Sequence, residues 1–312
     1  MELKSRSYSQ PLQRALTDFG ADVSFEQAAE KMKEHYGIEV PVSSIRKITE
    51  KHASQIAQLK PKKSVENAQN LISEMDGGMI PIVETGEGKD LRKTRKVCWK
   101  EAKLCFARAQ GKIDRIYGAV IGSPEEAGDI MYECVKRAGL TDMTYIHAIG
   151  DGAQWIADQY EDKFGSQVHF LVDFFHMCQY LFEAAIWCDG INPEGWLEEK
   201  KDMMKRGKVQ AVLEELKTKL SQIGKPKKDN GLVRCVRYME KRIQYMNYLE
   251  AKKKDFPIGS GEIESSHKHV VQKRMKIAGA WWKHDNANAM LQLRTARANG
   301  YWEEYWEVKK AA

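Results

Sequence analysis

The stretch Tyr145-Ile146-His147-Ala148-Ile149-Gly150-Asp151-Gly152-Ala153-Gln154-Trp155-Ile156 (residues 145–156) decides the fold. Its first five residues make a short strand, and that strand ends on an acid held between two glycines. Trp155, Ile156, Tyr160 and Phe164 then follow at helical spacing. Upstream, Ser123-Pro124-Glu125-Glu126 opens a helix with an N-cap serine, a proline in the first turn and acids at the positive end of the dipole. Ala127, Ile130, Met131, Cys134, Val135 and Ala138 give that helix its apolar stripe, and Gly139 stops it. Downstream, Val168 to Phe174 is a continuous apolar run with one acid, which reads as a buried strand.

Further upstream the periodicity is that of strands. Met79-Ile80-Pro81-Ile82-Val83 forms a first strand core, followed by the turn-rich Gly86-Glu87-Gly88-Lys89-Asp90. Lys96 to Ala107 gives a second strand and Ile113 to Ile121 a third, joined as an antiparallel meander. The order is three strands, helix, strand, helix, strand, helix. This is the order of an α/β ribonuclease-H-like fold: a mixed five-stranded sheet with flanking helices.

From about Trp187 to Phe256 no strand signal occurs. The helices Leu197–Arg206, Val209–Ile223 and Val233–Leu249 are expected there, so residues 187–256 read as an all-helical insertion. Another helix follows Gly259-Ser260-Gly261 and runs to about Ile277, and a last one covers Asn286 to Asn299. At the other end, Ser24-Phe25-Glu26-Gln27 has a capping-box pattern, Ala28, Ala29, Met32 and Tyr36 form a stripe, and Gly37 closes the helix. Pro41 and Ser43-Ser44 start a second helix, from Ile45 to about Ala53. A helix, a glycine turn and a helix rich in Ser, Arg and Lys form a helix-turn-helix pattern, which would direct Ser43, Ser44, Arg46 and Lys47 at DNA. A small helical cap has the same pattern. The expected organisation is a small helical helix-turn-helix domain over residues 1–60, a linker over 61–70 and a catalytic domain over 71–312. The linker signal is the stretch Leu59 to Glu66, with Lys60, Pro61, Lys62 and Lys63.

Composition is ordinary for a soluble globular protein. No run of 18 apolar residues exists, so no membrane span is expected, and the first six residues do not open a secretory signal. The six cysteines contain no C-x-x-C pair and sit in apolar segments, which points to reduced thiols in the cytoplasm. Net charge is +6, but Lys225 to Arg297 carries 17 Lys/Arg against seven Asp/Glu, a surplus of 10 that leaves about −4 elsewhere. Such a surface suits phosphates, although a solvated lysine-rich helical face would show the same surplus.

Phosphodiester cleavage and strand transfer use two divalent cations about 3.5–4 Å apart, clamping the attacking and leaving oxygens. Mg²⁺ is hard, so its protein ligands should be carboxylates. On this sheet one acid comes from the first strand, one from the end of the fourth and one from a late helix. Asp76, just before Gly77-Gly78 and the first strand core, Asp151, and Glu264, one turn into the helix after Gly261, occupy those points. Glu262 competes for the third position, but residues two apart on a helix point away from each other. Glu264 shares its face with His267, Lys268 and Val271, so a carboxylate and a cation would be offered together. Lys268, Arg274 and Lys276 on the same helix are further candidates for DNA contact. Trp281-Trp282 and Lys283 suit either stacking on DNA or core packing.

The chain resembles DDE-type insertion-sequence transposases, most closely the Kra-type group. The similarity is carried by Met75-Asp76-Gly77-Gly78, Ile149 to Ile156, Asp173-Phe174-Phe175-His176 and Gly259-Ser260-Gly261-Glu262-Ile263-Glu264-Ser265. It continues through Ala287-Asn288-Ala289-Met290-Leu291-Gln292-Leu293-Arg294 and Trp302-Glu303-Glu304-Tyr305-Trp306. The resemblance implies Asp76, Asp151 and Glu264 as the catalytic and metal-holding triad. It also implies a supporting role for Asp173 and His176; the residues alone would equally allow His176 to be a satisfied core histidine. The group often carries cysteine-containing elements near its N-terminus, whereas here no cysteine precedes Cys98. A truncated copy and a variant with one DNA-reading module both fit that departure.

The function expected from the sequence is transposition. Mg²⁺-dependent hydrolysis (two ions, with Mn²⁺ as a substitute) frees a 3′-OH at the element's ends, and that hydroxyl attacks target DNA. The expected partners are double-stranded DNA, as terminal inverted repeats and target, and further copies of the chain in a homo-oligomer on DNA; no membrane is involved. Two rivals remain: a non-joining nuclease on the same fold, and an inactive remnant that binds specific DNA.

Overall fold

The computed structural model describes residues 8–58, 66–87, 93–224 and 230–311. Strand β1 (Asn70–Thr85) runs for 16 residues, straight through Gly77-Gly78, so Asp76 lies within the strand and not before it. The glycines are tolerated because β2 (Arg95–Ala109) pairs antiparallel along the whole of β1, with Asp76 opposite Leu104. Strand β3 (Ile116–Val120) adds antiparallel to β2, while β4 (Tyr145–Gly150) and β5 (Val168–Val172) add in parallel on the other side of β1. The order β3-β2-β1-β4-β5, with β2 alone reversed, is the ribonuclease-H-like topology.

The register has a direct consequence for the acids. β4 pairs with β1 only from Asn70↔Tyr145 to Glu74↔Ile149. Two residues further on, Asp76 and Asp151 fall level on adjacent parallel strands, which are about 4.8 Å apart. Likewise Gly150↔Val172 closes the β4–β5 ladder, and the next pair along is Asp151 and Asp173.

Two of the helices start on the capping boxes read from the sequence. At the N-terminus are α1 (Gln10–Asp22), α2 (Phe25–Tyr36) and α3 (Val42–Ile56). Ser24 and Gln27 form the expected capping box, and Gly37 ends α2 in the left-handed conformation. Ser123 and Glu126 form a second box on α4 (Pro124–Arg137), and α5 (Gln154–Phe164) follows the Asp151 turn. Strand β5 stops short of the expected Phe174 because Asp173 caps α6 (Phe174–Cys188).

Beyond Cys188 the described residues are helical up to Lys253: α7 (Pro193–Lys205), α8 (Val209–Ile223), α9 (Gly231–Arg242) and α10 (Tyr248–Lys253). The single helix expected over Val233–Leu249 is broken into α9, a short 3₁₀ turn and α10, because the Asn247 side chain accepts from Glu250 N and starts a new helix. Then come α11 (Gly261–Ser266), a π-helical turn over His267–Gln272, α12 (Lys273–Met275), α13 (His284–Ala298) and α14 (Trp302–Ala311).

Apolar packing covers both faces of the sheet. Leu71, Met75 and Ala148 share a core with α4, α5 and α6 that extends without interruption into the insertion, through Met204, Leu216, Cys235 and Met239. Ile80, Ile82, Leu104 and Phe106 bury the opposite face against Ile263, Val271, Met290 and Trp306. The N-terminal helices have a small core of their own, around Leu16, Ala28, Met32 and Ile45. They are also tied to the C-terminal helices: His52 Nδ1 lies 2.6 Å from the Tyr305 hydroxyl, and Arg294 donates to Ala21 O at 3.0 Å. The expected linker from Leu59 to Glu66 falls almost wholly on residues 59–65, outside the described residues, as do Gly88, Lys89 and Asp90 of the expected turn.

Candidate carboxylate site

Asp76 and Asp151 stand where the β1–β4 ladder opens. Asp76 Oδ1 accepts from Gly77 N at 2.8 Å, while Oδ2 lies 3.7 Å from His267 Nε2. Burial pushes the Asp76 carboxyl above the usual aspartate range, and the charges of Asp151 and Glu101 push it further. His267 and the Gly77 amide oppose that shift. A pair of acids that repel each other in a half-buried notch is a natural seat for a hard cation.

The glycines around the acids are required by what approaches them. A side-chain carbon at Gly78 would meet the His267 ring at 3.0 Å. His267 is buried, and its Nε2 lies 3.1 Å from Asp76 O. Gly152 has φ +84°, and a carbon there would sit 2.5 Å from the Tyr238 hydroxyl. The space beside Gly78 and Gly152 is filled by protein side chains. Asp151 itself makes a local turn, Oδ1 accepting from Ala153 N at 2.8 Å.

The two candidate glutamates have different roles. Glu262 is gripped by Arg108, whose Nε lies at 3.0 Å, and by Arg115, whose Nε lies at 2.7 Å. Burial would raise its pKa, but the two guanidinium groups outweigh burial and hold it below the usual range. Glu264 is exposed, and its carboxylate forms no hydrogen bond or ion pair among the described residues. The face expected to unite Glu264, His267, Lys268 and Val271 is divided, because the chain widens into the π turn at His267. His267 and Val271 turn inward onto the sheet, while Glu264 and Lys268 face outward. π turns of this kind recur at functional sites. Among the described residues no three His, Cys, Asp or Glu side chains are gathered closely enough to hold a metal ion.

Two buried carboxyls brace this arrangement. Glu74, two residues before Asp76 on β1, accepts from Ile263 N at 2.8 Å and so ties the strand to α11. Burial raises its pKa to about 8. Asp173 accepts from Phe175 N at 2.5 Å and His176 N at 2.9 Å through Oδ1, and from Ser260 N at 2.7 Å and Ser260 Oγ through Oδ2. It therefore fixes the Gly259-Ser260-Gly261 loop from which α11 starts. His176 is half-buried, edge-on to Tyr180 and Tyr238 with ring centroids at 5.5 and 5.9 Å.

The DNA candidates separate by exposure. Ser43, Arg46, Lys47, Lys268 and Lys276 are exposed and Ser44 is half-buried. Arg274 has to be corrected: it is buried, donates to Gly20 O at 2.8 Å and lies between the rings of Phe25 and Trp282, so its guanidinium holds the N-terminal helices and offers nothing to a phosphate. Trp282 is core, with its indole N–H donating to Met275 O at 3.1 Å, whereas Trp281 is exposed. Tyr238, Arg242 and Glu74 carried no sequence signal of their own; the resemblance marked Asp173 but not its grip on Ser260.

The class defined by fold and site is a ribonuclease-H-like protein with two aspartates level at the central strands. Residues 6–311 match the model of the uncharacterised protein family UPF0236, and the chain belongs to that family. No protein of curated function matches it at a significant level. Among solved structures it is similar to the Drosophila P element transposase strand transfer complex, at 8% identity and a TM-score of 0.37, over 99% of this chain and 83% of that one. Among the described residues no helix is long and apolar enough to cross a membrane.

Proposed function

We propose that the chain is a DDE-type DNA transposase, of the Kra-type group that its motifs resemble, which cuts the ends of its element and joins them to target DNA. The observation that carries this reading is the register: Asp76 and Asp151 fall level on β1 and β4 of a ribonuclease-H-like sheet, and the Asp151 charge helps to raise the Asp76 carboxyl. The third acid is assigned to Glu264, because Glu262 is already neutralised by two arginines while Glu264 has no partner among the described residues. The carboxylate oxygens of Asp76 and Asp151, hard donors on adjacent strands, suit Mg²⁺ or Mn²⁺. Asp76, Asp151 and Glu264 would hold two such ions, whose bound form supplies activation of the attacking oxygen and charge neutralisation at the leaving one.

The protein's own part is positional. The Asp173–Ser260 and Glu74–Ile263 bonds fix where α11 leaves the sheet and so where Glu264 stands. Lys268, on the same outward face, and Lys276 would meet the phosphate backbone, as would Ser43, Ser44, Arg46 and Lys47 of the N-terminal helices. Water first opens the phosphodiester to free a 3′-OH at the element's end, and that 3′-OH then displaces the 3′ oxygen of a target-strand phosphodiester. Two ends must be handled together, so a homo-oligomer on the terminal inverted repeats is part of the proposal.

The test is incubation of labelled terminal repeats with Mg²⁺ and either wild type or Asp151→Ala. Joined products from the wild type that vanish in the variant support a transposase. Cutting without joining points to a nuclease, and binding without cutting to an inactive DNA-binding remnant; either result overturns the proposal.

A further inference from the structure

The helical insertion has a direct hold on the Asp151 turn. The Tyr238 hydroxyl on α9 donates to Asp151 O at 2.6 Å, and the Arg242 guanidinium one turn on donates to Gly152 O. Both consecutive carbonyls of the turn are thus bound by one helix face. Arg242 also lies over the Tyr238 ring at 4.3 Å, and Tyr238 is stacked on Tyr180 of α6 at 4.1 Å and 17°, so the donor hydroxyl is held on two sides. Gly152 is the counterpart of this grip: its positive φ and lack of a side chain let Tyr238 and Arg242 reach the backbone. From within, the turn is fixed by Ala153 N donating to the Asp151 carboxylate.

Resting on the functional reading above, we infer that α9 is a built-in part of the active site, with Tyr238 and Arg242 as positioning residues that set the Asp151 carboxylate for divalent metal. The insertion then does more than offer a basic surface for DNA. It supplies outer contacts to a metal-holding turn, and losing such contacts typically weakens metal binding 10–100-fold. Both side chains act through the Asp151 and Gly152 carbonyls, as positioning and not catalytic residues.

The test is Mn²⁺ binding to the full chain without DNA, followed by water-proton relaxation, for wild type, Tyr238→Phe, Arg242→Gln and Asp151→Ala. Tyr238→Phe keeps the ring and its stacking and removes only the hydroxyl. We expect its Mn²⁺ Kd to rise about tenfold while its melting temperature stays within a few degrees of wild type. In the cleavage assay its half-saturating metal concentration should rise in step, with the rate at saturating metal little changed. An unchanged Kd in both Tyr238→Phe and Arg242→Gln overturns the inference, as does a Kd that changes only in variants that have lost their fold. Wild type that binds no Mn²⁺, or Asp151→Ala that binds it as wild type does, overturns the functional reading and the inference with it.

Discussion

Replacing Asp173 by alanine should loosen the junction between β5, α6 and the loop that launches α11. The side chain is 2% exposed and takes four donors: two amides of the first turn of α6, and the amide and hydroxyl of Ser260. Loss of an N-cap costs about 1 kcal/mol. Each hydrogen bond to a charged acceptor adds about 1.5–3 kcal/mol, and removing a carboxylate that was costly to bury offsets part of the sum. The net expectation is about 4 kcal/mol, or roughly 10 °C in melting temperature for a chain of this size. Asp173→Asn retains an acceptor for Phe175 N and His176 N but turns an amide donor toward Ser260 N, so about half the loss should remain. Thermal melts by circular dichroism at neutral pH measure both, and hydrogen exchange at the Ser260 amide should quicken in both variants. If Asp173→Ala melts within 2 °C of wild type, or the Ser260 amide keeps its protection, Asp173 is not the clamp described.

Further outcomes follow from the same geometry. Glu74 has a raised folded pKa, so its contribution is fully present below the free glutamate value of 4.5 and is lost as pH rises through about 8. Glu74→Gln should therefore stabilise the metal-free protein by about 3 kcal/mol at pH 8 and by little near pH 5; melts showing the reverse trend would refute the buried neutral carboxyl. Glu262→Gln should cost about 2 kcal/mol, because Arg108 and Arg115 lose their charged partner, whereas Glu264→Gln should change stability by less than about 0.5 kcal/mol and abolish cleavage. Equal behaviour of the two variants would remove the basis for choosing Glu264. Arg274→Ala should destabilise by about 3 kcal/mol through its buried aromatic clamp. Lys276→Ala should leave stability alone and lower the salt slope of DNA binding by about 1, as read by fluorescence anisotropy over a salt series.

Much of this architecture is legible in the order of elements. Ser123 and Ser24 start their helices as capping boxes because the rule is local: one hydroxyl, one amide, three residues apart. Only the second half of β1, around Met79 to Val83, is legible in the sequence, because its first half, Asn70 to Gly78, breaks the apolar pattern and is held by pairing with β2, a tertiary effect. Glycines mark where something comes close but not what comes close: Gly152 and Gly78 face Tyr238 and His267, which lie 86 and 189 residues away in the chain. Arg274 shows the same limit, because a cation on a basic helix and a cation sealed between Phe25 and Trp282 look identical in sequence. Of the three candidate carboxylates, the register sets Asp76 and Asp151 side by side, whereas the outward turn of Glu264 comes from the π turn at His267, which has no signal in the sequence.

The most direct measurement of the central claim is single-turnover cleavage and joining of labelled terminal repeats by wild type and by Asp76→Asn, Asp151→Asn and Glu264→Gln at equal folded concentration. Each variant should lose on the order of 10³-fold or more in both steps while still binding the DNA. A variant of either aspartate that cuts and joins within tenfold of wild type would contradict it.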